Sequence, residues 1–97
     1  MPGIVPPLDN PANGFVSIGM VSTLVRPAND ERRYLLLVND SNAEIYLSLG
    51  TAAAAFIGIR LNASGGWYEM LDGQNLYTGA VYAIAAAAAK NLTYVEA

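Results

Sequence analysis

The 97-residue chain contains no cysteine and no histidine, and only 13% of its residues are charged. Without cysteine there are no disulfides and no thiolate chemistry, and the redox compartment is not legible. Without histidine, the nucleophile-histidine pairs of hydrolases and the usual zinc sites are excluded. Charged residues stand at roughly half the ~25% of an average soluble domain. The 5 basic residues form no stripe, Arg32 and Arg33 alone being adjacent, and the net charge is −3. That balance speaks against a surface that neutralises nucleic-acid phosphates. No apolar run reaches the ~20 residues of a membrane span. No basic segment precedes the weakly apolar first eight residues, so a soluble protein without a secretory signal is expected.

The polar residues supply no chemistry in their place. Ser64-Gly65-Gly66-Trp67 lacks the lysine and following helix of a phosphate loop. Asp40, Asn42 and Glu44 alternate oxygen ligands, but outside any twelve-residue calcium loop, and such Asn/Asp-rich connections are ordinarily plain turns. The 8 acidic residues sit mainly in turns and at chain ends, a poor basis for a glycosidase carboxylate pair. Asn39, Asn62 and Asn91 open Asn-x-Ser/Thr triplets, which without a secretory signal are chance matches. No catalytic, cofactor-binding or metal-ligating residues are assigned, and the chain is not expected to be an enzyme.

What the chain has is apolar residues in short runs, 54% of the whole with alanine prominent. So few charges on so small a body predict a surface partly covered by a partner or by copies of itself. Four of the 5 prolines fall within residues 1–14, which reads as an extended arm ahead of a single domain at 15–97. Its apolar Ile4, Val5 and Leu8, stiffened by Pro6 and Pro7, suit a strap across a neighbouring surface.

From Phe15 to Val25 the apolar parity changes near Gly19, predicting a bulge or a strand that bends between two sheets. Residues 26–31 form a loop whose Asp30-Glu31, beside Arg32-Arg33, reads as a solvated charge cluster. Tyr34 to Val38 is continuously apolar, as in a strand buried on both faces, and Ile45 to Leu49 alternates. The Asn39–Ala43 turn between them predicts a hairpin. Thr51 to Phe56 is an alanine-rich connector with room for one helical turn, and further strands are expected at 57–61, 67–71, 79–84 and 91–96. The five alanines at 85–89 are too few to hold a helix alone and read as strand end plus turn, with a single helical turn as the alternative.

The pattern predicts an all-β fold, a β-sandwich or jelly roll of about seven to eight antiparallel strands with an extended N-terminal arm. The expected core is Ile18, Leu35, Leu37, Ile45, Leu47, Leu49, Ile59, Leu61, Val81, Ile84, Leu92 and Val95. Trp67, with Tyr68, Tyr46 and Tyr82, could form an aromatic platform for sugar or protein, although aromatics are also ordinary sheet residues. Trp67 stands out because it follows Gly65-Gly66 at a strand start.

Leu24-Val25, Ala28-Asn29, Arg33-Tyr34-Leu35-Leu36-Leu37-Val38-Asn39 and Ile45-Tyr46-Leu47-Ser48-Leu49-Gly50 together resemble small structural proteins of tailed bacteriophages. The resemblance continues through Gly58-Ile59-Arg60-Leu61, Gly65-Gly66-Trp67-Tyr68-Glu69, residues 77–84 and Val95-Glu96, and leaves the proline-rich arm unmatched. It implies a β-sandwich of the virion: a capsid decoration, or cement, protein on the outer surface of the head, or a head-fibre, turret or tail-fibre module contacting host glycans. The implied partner is the major capsid protein; the low charge and exposed sheet edges predict copies of the chain itself as well, a trimer being preferred or oligomerisation on the capsid, with no nucleic acid, membrane or cofactor. Ile4, Val5, Pro6, Pro7, Leu8, Trp67 and Tyr68 are the residues expected to bind capsid or a neighbouring subunit.

Overall fold

A computed structural model describes Leu8 and residues 10–97 of the chain. The apolar runs become β1 (Ala12–Ile18), β2 (Thr23–Arg26), β3 (Tyr34–Asn39), β4 (Ile45–Leu49), β5 (Ile59–Leu61), β6 (Trp67–Leu71), β7 (Val81–Ala85) and β8 (Lys90–Glu96). No helix occurs among the described residues. The first strand pairs with the last, β2 with β7, β3 with β6 and β4 with β5, all antiparallel. This ribbon of strand pairs then rolls up, so that β8 meets β3 and β7 meets β4. The resulting sheets, β1-β8-β3-β6 (sheet A) and β2-β7-β4-β5 (sheet B), have the strand order of a jelly roll.

Two local readings are corrected. The hairpin expected from β3 and β4 does not form: β3 pairs with β6 and β8, and β4 with β5 and β7. The Asn39–Ala43 connection crosses from one sheet to the other because Asn39 is buried and turns the chain around itself. Its amide donates to the carbonyls of Ala43 (2.8 Å) and Leu61 (3.0 Å) while its oxygen accepts from Ser41 (2.6 Å). Its backbone N–H and C=O bond Gly66 and Gly65, which tie in the β5–β6 connection as well. A Cβ at Gly66 would collide with the Asn62 backbone, so this close approach requires glycine. Second, Ala12, Asn13 and Gly14 belong to β1 instead of to the arm, pairing with Glu96, Val95 and Tyr94. From Ala12 through the end of β1 every residue has a backbone donor, and Gly14 leaves room for the Tyr94 ring that packs over it.

Elsewhere the elements follow their patterns. The stretch from Phe15 to Val25 splits at Gly19 into strands of different sheets. β7 ends at Ala85 and a turn follows. Ile18, Leu35, Leu37, Ile45, Leu47, Leu61, Val81 and Leu92 fill the space between the sheets, with Leu49 and Ile59 packed at its margin. Val25, Met70, Ala83 and Ala85 join them. Ile84 and Val95, expected in that core, alternate away from Ala83, Ala85 and Glu96 and lie half-buried on outer faces.

The end of the sandwich opposite Asn39 is closed by charge. Glu96 at the close of β8 accepts from Arg26 through Oε1 (3.0 and 2.6 Å) and from Arg32 through Oε2 (2.6 Å). Arg32, expected in a solvated cluster, is only 2% exposed and also donates to the carbonyls of Pro27, Tyr77 and Gly79. The Arg26 guanidinium lies 4.4 Å from the centroid of the Tyr94 ring, so strands of both sheets are held together here.

Candidate interaction surfaces

Alternation along each strand sends one set of side chains into the core and the other outward. On sheet A, one rung of the outer face reads Phe15, Thr93, Val38, Trp67 across its four strands. The next reads Asn13, Val95, Leu36, Glu69, and beyond it Tyr34 pairs with Leu71. Phe15 is 71% and Trp67 64% exposed, at the two edges of the sheet, with Leu36, Val38 and Val95 half-buried between them. β3, apolar on both sides, is thus covered by the described residues on one side only, against the expectation of a doubly buried strand.

Glu69 is the one charged residue among the outward side chains of these strands, and its Oε2 accepts from the Tyr34 hydroxyl at 2.6 Å. That hydrogen bond, with burial and the carboxylate charge adding, holds the Tyr34 phenol above the ordinary tyrosine range. For Glu96, burial pulls the carboxyl upward, but the hydrogen bonds and charges of Arg32 and Arg26 together outweigh it. It ends below the ordinary glutamate range.

The opposite side of the sandwich presents a different relief. Tyr46 points outward from β4 and is covered by Phe56, whose ring meets it edge-on at 5.5 Å. The loop that carries Phe56 is pinned at Ala53, whose N–H donates to Ser22 Oγ (2.7 Å), and at Gly58, where a Cβ would strike the Leu47 carbonyl. Phe56 itself has φ 66°, a left-handed backbone conformation rare for an aromatic residue, and is 84% exposed. Leu24, paired with the outward Tyr82, is exposed on the same side, and Ile57 next to Phe56 is exposed too. This surface is a knob, whereas the outer face of sheet A is flat.

The residues singled out from the sequence are dispersed. Ile4, Val5, Pro6 and Pro7 lie outside the described residues, and Leu8 is exposed. Trp67 and Tyr68 are neighbours on β6 and so face opposite ways: Trp67 outward, Tyr68 against the core. Tyr46 and Tyr82 belong to the other sheet, so the four aromatics form no common platform. Phe15, Phe56 and Ile57 were not singled out, although the continuously apolar β3 was a signal that its second face needs cover.

Among the described residues there is no group of three or more acidic, histidine or cysteine side chains that would hold a metal ion. Asp40, Asn42 and Glu44 instead engage Asn91, Lys90 and Arg60 respectively. Buried side-chain polar atoms, where described, all have partners. What the arrangement offers is contact surface, flat and apolar on one side and knobbed on the other. Compared with protein-family models, curated proteins and solved structures, the chain matches none.

Proposed function

We propose that the chain is a structural protein of a tailed-phage virion, a decoration protein that binds the outer surface of the head and stabilises the shell. The observation that carries this reading is the exposure of large apolar side chains on two opposite sides of one small sandwich. Phe15, Trp67 and Leu71 lie on one side, and Leu24 and Phe56 on the other. A body that contacts both a shell and its own copies needs two such surfaces. The mechanism is linkage: a ligand that binds only the assembled shell lowers its free energy relative to dissociated subunits. With apolar contacts dominant, binding should vary little between low and moderate salt. The resemblance in the strand sequences supports the same assignment.

A fibre or turret module touching glycans is the second reading, favoured by the exposed Trp67. The neighbours of Trp67 on its face are mainly aliphatic, which suits protein better than sugar. The test is quantitative mass spectrometry and a reconstruction of virions from the genome that encodes the chain. Density over the shell, in copies that scale with the capsomers, is the expected result. Density confined to vertices or tail would establish the second reading, and absence from the virion would overturn both.

A further inference from the structure

We propose that the outer face of sheet A is where two copies of this chain pair, face to face, about a two-fold axis that runs along the strands between β8 and β3. The inference stands apart from the virion reading. β3 has the composition of a strand buried on both faces, yet among the described residues the sandwich covers only one of them. A partner for the open face has to be apolar and has to avoid setting a like charge against Glu69.

A second copy, turned about this axis, meets both conditions. The rotation exchanges β1 with β6 and β8 with β3 while keeping each rung level. Phe15 then lies over the partner's Trp67, and Val95 over the partner's Leu36. Glu69, which already accepts from Tyr34 through one oxygen, faces the amide of the partner's Asn13. The one formal charge carried by the outward side chains of these four strands thereby meets a hydrogen-bond donor, while Asp40, just past β3, accepts from Asn91 of its own chain. Sheets of one twist pack face to face in this way about 10 Å apart in β-sandwiches.

The area is adequate. Four strands spaced about 4.8 Å apart, each carrying five to seven residues, make a face of roughly 19 by 20 Å. Pairing two of them removes on the order of 1,000 Å² of accessible surface, the threshold for a specific interface. Sheet B offers no equivalent, because the loop carrying Phe56 stands on its outer face and prevents a flat approach. The geometry therefore points to a two-fold pair in place of the trimer expected from the sequence.

The experiment is sedimentation velocity of the full chain over a wide concentration range, with circular dichroism to confirm folding of each variant. The wild type should reach twice the 10.2 kDa chain mass. Trp67→Glu should weaken pairing at least ~100-fold, as expected of a buried aromatic anchor, and Phe56→Glu on the other side should leave it unchanged. Asn13→Asp sets a carboxylate over the partner's Glu69 and should weaken pairing, and adding Glu69→Gln should restore it. A monomer at the highest concentration, a trimer, or a dimer indifferent to Trp67→Glu overturns the proposal. A dimer that tolerates Asn13→Asp, or that Glu69→Gln fails to rescue, overturns the axis.

Discussion

Glu96 is the residue on which one end of the sandwich depends. Its two oxygens take three hydrogen bonds from two arginines, one of which has a fully buried side chain. Glu96→Gln removes the charge and leaves the buried Arg32, still bonded to three backbone carbonyls, without its counter-ion. Breaking a buried pair from one side costs about 3–5 kcal/mol, so chemical denaturation of the variant should show a loss of that size. The pH dependence follows from the direction of the shift. The carboxyl is held below its ordinary range in the folded state, so its contribution is complete above the unfolded glutamate pKa. It is lost as pH falls through the lower folded value. Melting temperature against pH should therefore decline on the acid side for the wild type, and that portion of the decline should vanish in Glu96→Gln; identical acid profiles would refute the linkage. None of this was legible in the chain, because Arg32 sits beside Arg33 and the acids Asp30-Glu31, and its actual partner lies 64 residues away.

At the scale of the element, period-two alternation located nearly every strand, since it reflects a local physical requirement to bury one face. It did not identify which strand pairs with which. The Asn39–Ala43 turn looks like the loop of a hairpin, and only the burial of Asn39 against the β5–β6 connection reveals a crossing between sheets. Asn39→Asp tests this role. It keeps the acceptor for Ser41 but turns a carboxylate oxygen toward the carbonyls of Ala43 and Leu61, and an unsatisfied buried group costs about 1–3 kcal/mol, more when charged. β7 shows the other limit of patterning. In Val81-Tyr82-Ala83-Ile84-Ala85 the small alanines face the core and the larger Ile84 faces outward, so size alone misleads and the parity set by Val81 decides. Ala83→Leu should overpack the core by about 1–3 kcal/mol, whereas Ile84→Thr should cost under ~1 kcal/mol. The reverse order in urea melts would mean that β7 is registered the other way. The interaction surface was half legible for a related reason. Trp67 marked its position, but Tyr68 beside it points into the core, and the flat face emerges only when Phe15, from the far end of the chain, is placed in the same rung.

For the whole molecule, the roll-up order of the strands sets the order of folding. β4 and β5 are neighbours in sequence, joined by the loop at 50–58, β3 and β6 enclose them, and β1 with β8 spans nearly the full chain, pairing Ala12 with Glu96. Closing a loop costs more entropy as it lengthens, by about 0.6 kcal/mol per doubling, so the inner pairs and the Asn39 hub between them should form first. The outer pair and the Arg26–Glu96–Arg32 clamp should form last. Such long-range strand pairing places folding in the millisecond-to-second range. In a chevron experiment, Glu96→Gln should speed unfolding by nearly its whole effect and leave the folding rate unchanged, whereas Asn39→Asp should slow folding. Because β1 and β8 supply half of the outer face of sheet A, that face is complete only in the native state, and the folding limb should not depend on protein concentration. A folding rate that drops in Glu96→Gln would place the chain ends in the nucleus. A rate that rises with concentration would mean that copies associate before the face exists.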